Sequence, residues 1–325
     1  MNEELETVLE RRRLRRKLTF WRAGALFVLA GLVIALFAKS DFGERLTAAG
    51  ANQIARVQIS GFISNDRDLI ELLDKLRQRK QVKAVIIEIS STGGSTVGGE
   101  AIYRAVRKLA ADKPVAASVG SLAASAAYMI ACGSDHIVAH RTSIVGSIGV
   151  LFQYGDVSTL LDRLGVKVDA VKSTPLKAEP SPFKPASEES KQMLAAVVGN
   201  SYEWFVALVA ERRRLDAARA RLLASGGIFT GEQGLANGLI DAIGDEETAK
   251  AWLVAERGID PDLKIREWKP RRGDYLSNPL GVARFARWLG LEAGGLQAIA
   301  LADYFERRVF VDGLVSVLQA DPSAE

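Results

Sequence analysis

Cysteine and histidine are scarce in this chain of 325 residues. The one cysteine, Cys132, excludes an internal disulfide framework and a cysteine-based zinc cluster. The two histidines, His136 and His140, flank the segment Ile-Val-Ala, which is typical of a strand. Four residues along a strand span about 13 Å, which is too far for two ligands of one metal ion. We therefore expect both histidines to be structural, and we predict no metal site.

The motifs of several common enzyme classes are also missing. The sequence contains no GxxxxGK[ST], GxGxxG, HExxH or GxSxG pattern. Nucleotide binding, zincin chemistry and the common hydrolase elbow therefore lose support. We expect no cofactor.

The positive charge of the chain is confined to its N-terminus. The formal net charge is +4, but residues 1–22 hold seven basic and four acidic side chains. The rest of the chain is left with a surplus of one positive charge. A basic groove is not indicated, and we predict no nucleic-acid partner.

A long apolar run follows this basic N-terminus. Residues 23–38 (AGALFVLAGLVIALFA) are 16 uncharged residues, and residues 18–21 extend them. Together they approach the roughly 20 residues that a bilayer crossing needs. Because basic residues precede the run, we predict a single-pass anchor with a cytoplasmic N-terminus at residues 1–22 and the rest of the chain outside. A cleaved signal peptide and a buried core helix are the alternatives.

Apolar periodicity predicts alternating strands and helices after a linker at residues 39–53. β-branched segments are typical of strands, and apolar residues three and four apart are typical of helices. The predicted strands are 54–60, 82–89, 115–119, 136–139, 149–154, 168–172 and 263–268, and the predicted helices are 66–80, 100–111, 121–131, 157–164, 187–214, 217–224 and 246–257. This order predicts an α/β fold with a parallel sheet and right-handed crossovers.

Two segments depart from this rhythm. Four prolines between residues 173 and 186 preclude a regular helix or a central strand, so a stiff loop is predicted there. Residues 280–319 are amphipathic and predict C-terminal helices. We favour a helical hairpin packed against the core over helices that bind a partner protein or the membrane surface.

Glycine and serine are concentrated at the ends of two predicted strands. Residues 90–95 (SSTGGS) form either a tight turn or a turn with a glycine N–H directed into a cleft at the sheet edge. Residues 120–128 (GSLAASAAY) place Ser125 at the start of a buried helix, as a cap or as a nucleophile. A nucleophilic serine needs a base. With both histidines structural, that base is a lysine, a carboxylate or nothing.

The proline-rich loop and its flanks supply candidate lysines. Lys177 lies inside the loop, and Lys172 and Lys184 compete with it. A lysine acts as a base when burial lowers its pKa, so a semi-rigid, partly apolar setting is expected. Ser181 and Lys184 also match S-x-x-K, but the prolines on either side of Ser181 preclude the helix that this motif needs.

Several segments in the same order resemble the short-form signal peptide peptidase A family. These are IIEISSTGGSTVGGEAIY, AASAAYMIACGSDHIVA, TSIVGSIGV, NSYEWFVALVAERRRL and FTGEQGLANGLIDAIGD, within residues 54–244. Members of this family are membrane-anchored serine–lysine peptidases of the Clp/crotonase superfamily. The resemblance implies a core of repeated ββα and βα units in a superhelix at residues 54–245, followed by an α-rich extension at residues 246–325.

The resemblance also implies roles for individual residues. Ser125 matches the nucleophile and Lys177 the general base. Ser147 matches a serine whose hydroxyl orients the lysine amine. Gly94 and Ala126 match the positions whose backbone N–H groups form the oxyanion hole.

Location and partners follow from the same resemblance. It implies an enzyme on the periplasmic side of the bacterial inner membrane that cleaves remnant signal peptides without a cofactor. It also implies a homo-oligomeric ring in which the lysine acts across a subunit interface. A catalytically inactive membrane scaffold and an acyl-CoA-handling crotonase-like enzyme are the rival functions.

The sequence departs from the family pattern at two places. Thr92 replaces a proline after the second strand, and we expect it to loosen that turn. Ala126 and Ala127 replace glycines after the nucleophile. Their methyl groups are expected to narrow the cleft.

Overall fold

The computed structural model describes residues 51–270 and the backbone of one short strand nearer the C-terminus. The predicted anchor at residues 23–38 and most of the predicted C-terminal helices lie outside the described residues. The described strands are β1 (Gln53–Ile63), β2 (Val82–Ser95), β3 (Val115–Ala124), β4 (His136–Ala139), β5 (Ile144–Gly146), β6 (Ile228–Thr230), β7 (Ala242–Ile243), β8 (Ile265–Glu267) and β9 (Val315–Val317). The described helices are α1 (Arg67–Gln78), α2 (Thr96–Ala110), α3 (Ala126–Ala131), α4 (Ser158–Arg163), α5 (Glu188–Arg213), α6 (Ala217–Leu223), α7 (Gly231–Ala236) and α8 (Glu246–Arg257).

All of these strands join one mixed sheet. Its main path runs β6-β5-β3-β2-β1-β8, with β4 bonded to β3 and β7, and β9 bonded to β2. The pairs at the centre are parallel, as predicted, whereas β5–β6 and β2–β9 are antiparallel. The first half of β3 pairs with β4 and its second half with β5, so the sheet changes partners along this strand.

Helices cover both faces of the sheet. Val85 and Ile87 of β2 contribute to a large core with α1, α2, α3 and α5. Ala84 and Ile86, which point to the opposite face, pack with Leu253 of α8. Because both faces are buried, the strand is apolar almost throughout instead of alternating with polar residues.

Polar caps fix where the first two helices begin. The Asp66 carboxylate accepts a hydrogen bond from the Leu69 N–H at 3.0 Å, and α1 follows it. The Ser95 hydroxyl accepts from the Gly98 N–H at 3.1 Å. Helix α2 therefore begins at Thr96, four residues earlier than the apolar pattern predicts.

The predicted helix at residues 121–131 is shorter in the structure. Leu122, Ala123 and Ala124 continue β3 by pairing with β5, and the helix begins at Ala126. The strand predicted at residues 149–154 is wrong, because the strand lies earlier, at Ile144–Gly146. The small side chains that favoured a buried helix fit a buried strand end equally well, since periodicity does not separate the two in a short apolar run.

Residues 151–187, here called the arm, bury little of their surface. The strand predicted at residues 168–172 is wrong, since these residues are in neither a strand nor a helix. Helix α4 contains no buried residue. The prolines lie in turns and irregular backbone, as predicted. Large exposed apolar side chains in the arm are Phe152, Tyr154, Val157, Leu160, Leu164, Val166, Val168, Val171 and Phe183.

Helix α5 follows the arm and returns the chain to the core. The Ser187 side chain caps its first turn by accepting from the Ser190 N–H, as predicted. Phe205 and Val209 in its second half are buried in the main core. By length and composition alone α5 resembles a membrane-spanning helix, and 22% of its most apolar stretch is buried. Its contacts with the core assign it to the folded domain.

Two elements of the predicted C-terminal extension belong to the same sheet. Strand β8 pairs in parallel with β1, and Ala249 and Leu253 of α8 are buried against one sheet face. Residues 315–317 fall within the predicted C-terminal helices, and this part of the prediction is wrong because they form β9. The division of the chain at residue 245 remains a prediction.

Candidate active site

The predicted site lies where neighbouring parallel strands end. Gly94 at the end of β2 pairs with Ile63 at the end of β1, and Ser91 pairs with Ala123 of β3. Ser125 follows β3 directly. The carboxyl edge of a parallel sheet is where α/β proteins bind ligands. The fold therefore brings Gly94, Ser125 and Ala126 to one edge.

Ser125 has an unusual backbone for a buried serine. It occupies the N-cap of α3 with φ 58° and ψ −121°, and 1% of it is exposed. A non-glycine residue at positive φ is strained by roughly 1–3 kcal/mol and persists when its surroundings hold it. Two backbone bonds do so: the Ser125 N–H donates to the Gly146 carbonyl at 2.8 Å, and the Met129 N–H donates to the Ser125 carbonyl at 2.9 Å.

Ser147 lies beside this arrangement. Gly146, which precedes it, pairs with Ala124 and accepts from the Ser125 N–H. Ser147 itself has φ 50°, is 8% exposed, and donates its N–H to the Gly227 carbonyl at 2.8 Å. The structure thus brings Ser147 next to the strand end that carries Ser125.

Gly94 tolerates no side chain at its position. A Cβ added there would overlap the backbone of Ile63, with the Ile63 carbonyl carbon at 2.6 Å. The adjoining turn is held by Ser91, whose hydroxyl donates to the Gly61 carbonyl at 2.5 Å and accepts from the Gly93 N–H at 3.1 Å. Gly94 is therefore required by close backbone approach, and Gly93 has φ 110°, a conformation that favours glycine.

Strand β9 lies on the edge of β2 that faces β3. Gly93 and Gly94 pair with β1 on one side and with Val317 and Ser316 on the other. A strand has two edges, so β9 occupies the edge on the side of Ser125. It runs antiparallel to β2.

The methyl groups of Ala126 and Ala127 do not face an open cleft. Both residues are 0% exposed and belong to the main core. A Cβ built on Gly99 of α2 would stand 2.9 Å from the Ala126 Cβ. The missing side chain of Gly99 thus makes room for the Ala126 methyl. The expectation that these alanines narrow the cleft is wrong, because their methyl groups pack into the core.

The three candidate lysines differ in their partners. The Glu179 carboxylate accepts from the Lys172 amine at 2.5 Å and pairs with the Lys184 amine at 2.8 Å. Lys177 has no ion-pair partner within residues 51–270 and is exposed. The partly apolar setting expected for a lysine base is therefore not supplied by the described residues of one chain.

The S-x-x-K match at Ser181 and Lys184 is not on a helix. The Ser181 N–H donates to Glu179 at 3.1 Å, and the Ser181 hydroxyl accepts from the Phe183 N–H at 3.3 Å. Residues 182–184 form a turn and a bend. This agrees with the prediction that the match carries no function.

Burial makes Cys132 unsuitable as a nucleophile. Desolvation raises the pKa of its thiol to about 11, and 1% of the residue is exposed. Burial also raises the pKa of Tyr128 well above its ordinary value, and the Tyr128 hydroxyl donates to the Leu239 carbonyl at 2.7 Å. Both groups stay protonated at neutral pH, and both are buried, Tyr128 within α3 and Cys132 directly after it.

His136 has its contacts with residues outside the serine cluster. His136 stacks on Trp252 with ring centroids 4.6 Å apart, and its Nδ1 is 3.9 Å from Asp241. Burial lowers the pKa of His136 although Asp241 acts in the opposite direction. These contacts explain His136 as a structural residue. Within the described residues, no group of three or more histidine, cysteine or acidic side chains is arranged to hold a metal ion.

Sequence reasoning missed two residues that the structure makes prominent. Glu179 is 4% exposed in its side chain although it lies in the solvated arm, and Gly99 receives the Ala126 methyl. Glu179 carried a signal, since it and Asp169 are the acidic residues among four lysines between residues 166 and 187. Gly99 carried none, because a glycine in a helix is equally compatible with a solvent-facing position.

Comparison with known proteins gives matches along most of the folded part. The sequence model of peptidase family S49 matches residues 107–260, and that of Clp protease matches residues 55–147. A Synechocystis sp. protein assigned as protease slr0021 is 36% identical over 254 residues, which cover 74% of this chain and 92% of that protein. An Enterococcus faecium protein assigned as signal peptide peptidase SppA is 31% identical over 281 residues, 82% of this chain and 81% of that protein.

A longer relative matches over a smaller share of its length. Protease 4 of Salmonella typhi is 35% identical over 209 residues, which cover 64% of this chain and 32% of that protein. The matches agree with the Clp-protease-like α/β sheet and with the family resemblance of the sequence. The chain belongs to peptidase family S49, and it is a serine peptidase.

Proposed function

We propose that this chain is a membrane-anchored endopeptidase with Ser125 as nucleophile and Lys177 as general base. The neutral Lys177 amine takes the proton of the Ser125 hydroxyl, and Oγ attacks the carbonyl carbon of the peptide bond. The resulting ammonium gives its proton to the leaving amine, and water then hydrolyses the acyl-enzyme. Ser147 orients the lysine amine, and the N–H groups of Gly94 and Ala126 stabilise the oxyanion.

The backbone of Ser125 is the observation that carries the proposal. Strained cap positions at the end of a strand hold nucleophilic serines in other α/β enzymes. Other buried serines nearby are used structurally, since the Ser134 hydroxyl donates to the Ala131 carbonyl at 2.6 Å and the Ser143 hydroxyl to the Gly120 carbonyl at 2.5 Å. Neither of these serines has a positive φ. Among the buried serines of the described residues, positive φ occurs at Ser125 and Ser147, both of which belong to the proposed site.

The proposed oxyanion hole uses features that surround Ser125. Ala126 is the first residue of α3, and the first N–H groups of a helix have no partner within the helix. Gly94 lies at the same sheet edge. Backbone donors of this kind act whatever their side chains are, provided that their positions are fixed. The core packing of Ala126 and the close approach of Gly94 to Ile63 fix both.

For Lys177 we propose that a second copy of the chain completes its surroundings. An exposed lysine stays protonated at neutral pH, whereas one covered by apolar groups loses its charge more readily. The arm displays nine large exposed apolar side chains close in sequence to Lys177. Apolar surface of this kind is typical of an interface between proteins. A homo-oligomeric ring with the arm at the subunit contact would cover both Lys177 and the apolar side chains of the arm.

For the substrate we propose an extended peptide of apolar and small residues, such as a remnant signal peptide. Extended peptides bind sheet edges by adding a strand. The edge of β2 next to Ser125 already pairs with an antiparallel strand, β9, which supports this binding mode. The anchor at residues 23–38 would hold the site at the outer face of the inner membrane, where membrane-released peptides are accessible.

A serine-directed acylating probe tests the proposed nucleophile. The purified full-length chain is labelled in detergent, and the adduct is located by peptide mapping. We expect one adduct, on Ser125, and its loss in Ser125→Ala. Ser121→Ala is the matched control, because Ser121 is an exposed serine four residues earlier on β3. An adduct on another residue would reject the nucleophile.

Peptide hydrolysis tests the proposed base. Lys177→Ala is expected to lower kcat/KM by about 10²-fold or more, the usual contribution of a general base. Lys167→Ala, which removes an exposed lysine from the same arm, should leave the rate unchanged. The wild-type rate should rise towards alkaline pH with one ionisation. Unchanged turnover in both Ser125→Ala and Lys177→Ala, or a rate that follows an imidazole ionisation and is lost in His136→Ala, would contradict the dyad.

A further inference from the structure

A buried carboxylate lies within the otherwise solvated arm. The Glu179 side chain is 4% exposed, whereas its partners Lys172 and Lys184 are 18% and 57% exposed. One oxygen, Oε1, accepts from both lysine amines, and Oε2 accepts from the Ser181 N–H at 3.1 Å. Hydrogen bonds from Lys172 and then Lys184 lower the pKa of Glu179 to about 2. The carboxylate is therefore anionic throughout the working range of a peptidase.

This cluster closes a loop that carries Lys177. Its two lysines lie on either side of Lys177 in the sequence. Between them, the Lys177 N–H donates to the Thr174 carbonyl at 3.2 Å, and the Glu179 N–H donates to the Leu176 carbonyl at 3.3 Å. Lys177 is thus held by tight turns, with the ion cluster at the base of the loop.

Glu179 is also close enough to Lys177 to pair with it. The two residues are two positions apart, so their Cα atoms lie at most about 7.6 Å from each other, a distance that a lysine and a glutamate side chain bridge easily. The intervening Ala178 has φ 56°, so the backbone turns sharply between them. A carboxylate beside Lys177 would favour its charged form and prevent it from accepting a proton. In the structure both Glu179 oxygens have other partners.

We infer that Glu179 is a positioning residue, which fixes the loop around Lys177 while Lys172 and Lys184 keep its carboxylate from pairing with the Lys177 amine. The inference rests on the proposed function, in which Lys177 is the general base. It assigns the two flanking lysines a role that is separate from proton transfer. Lys172 and Lys184 form ion pairs with Glu179, which is the one acidic residue between them in the loop.

Charged groups of the neighbouring elements do not replace this cluster. The Val157 N–H, just before α4, donates to the Pro182 carbonyl at 2.8 Å, so α4 is attached to the loop. The charged residues there are Asp156, Asp162 and Arg163, and none forms an ion pair with Lys177 or Glu179. At the start of α5, Glu188 pairs with Lys191 at 2.7 Å. The contacts of Glu179 therefore come from its own loop.

The pH profile of kcat/KM in three variants tests the inference. In Lys172→Met/Lys184→Met the carboxylate is released towards Lys177, so we expect the apparent pKa of the rate to rise by about one unit or more. Below that pKa, kcat/KM should fall about tenfold. Adding Glu179→Gln to this double variant should reverse most of the increase in the apparent pKa. Glu179→Gln alone should shift the pH profile of kcat/KM to lower pH, because two unpaired ammonium groups then lie near Lys177.

Shifts of opposite sign are what separate this role from a purely structural one. Loosening of the loop would lower kcat/KM in all variants without moving the profile, and that result would overturn the inference. Lys167→Met is the matched control for removing one charge from the arm. If the double variant fails to fold, Lys184→Met, at a half-exposed residue, should still shift the profile towards alkaline pH, and an unmoved profile there overturns the inference.

The proposed function fails separately. If Lys177→Ala keeps its activity, the general base is wrong. If Lys177→Ala is inactive while the cluster variants keep the wild-type profile, the dyad stands and this inference is rejected.

Discussion

Gly99→Ala should damage the site through the first turn of α3. The new Cβ would stand 2.9 Å from the Ala126 Cβ and 3.2 Å from the Met129 sulfur. Carbon atoms in contact are normally about 3.5–4.0 Å apart, so the overlap with Ala126 is roughly 0.6–1.1 Å. Met129 has a flexible side chain and can give way. The Ala126 methyl is fixed to the backbone, so relief requires α3 to move together with Ser125.

The expected magnitudes follow from this overlap. Overpacking of this kind costs about 1–3 kcal/mol of the free energy of unfolding. A displacement of about 1 Å at a reacting group can lower the rate by about 10²-fold. Because each tenfold change in rate is about 1.4 kcal/mol, the loss in kcat/KM corresponds to about 2.7 kcal/mol, so we expect Gly99→Ala to lower activity and stability by comparable free energies. Urea denaturation and peptide hydrolysis measure the two effects on the same sample.

A double variant and a control make the test specific. Gly99→Ala/Ala126→Gly removes the clashing methyl and leaves the flexible Met129 sulfur at 3.2 Å and the Cα of residue 126 at 3.4 Å as the next contacts, so it should recover most of the activity and stability. Gly199→Ala adds a methyl in α5, where nothing lies within 4 Å, and should raise stability by about 0.5–1 kcal/mol. If Gly99→Ala behaves like Gly199→Ala, or if the second substitution restores nothing, the packing argument is wrong.

Three further predictions concern other parts of the molecule. Asp241→Asn should lower the free energy of unfolding by about 2–4 kcal/mol, because it removes the carboxylate that holds the buried Arg213 side chain at 2.6 Å and 3.0 Å. Burial raises the pKa of Asp241, but the hydrogen bonds and charge of Arg213 and the hydrogen bond from the Ile137 N–H together lower it more, so the stability difference seen in urea at neutral pH should shrink as the pH falls through this lowered pKa. Ser316→Pro should weaken the pairing of β9 with Gly94 and lower KM for peptides, if peptides use the same edge; an unchanged KM would contradict that binding mode. Cys132 should resist iodoacetamide in the folded chain at pH 8, because the pKa of its thiol is about 11, and rapid alkylation seen by mass spectrometry would refute this.

The strands that the sequence predicts correctly are those packed against the core of this chain. Residues 54–60, 82–89 and 136–139 are rich in β-branched side chains, and each lies in the sheet at about the predicted place. Their ends were harder to predict. Strand β2 continues to Ser95 because Gly93 and Gly94 keep pairing with β1, and no apolar pattern marks two glycines as part of a strand.

Residues 168–172 show why the same reasoning fails in the arm. Their β-branched content predicts a strand, yet none forms there, and Val168 and Val171 are exposed. A preference for strands mainly reflects fit to a half-buried surface. The sequence pattern indicates that these side chains favour burial, but it does not indicate whether the surface that buries them belongs to the same chain. An interface with a second copy would account for the pattern.

The two members of the proposed dyad differ in how far the sequence could identify them. Ser125 is singled out by its own neighbours, since a serine among alanines between a strand and a helix has few structural uses. Three lysines of similar surroundings compete for the other role, and only the family resemblance chose Lys177 among them. The property that separates them depends on how the loop folds: Glu179 binds the amines of Lys172 and Lys184 and leaves Lys177 without a carboxylate. Because a general base must be able to lose its proton, the ion pairs that exclude the two flanking lysines support the choice of the third.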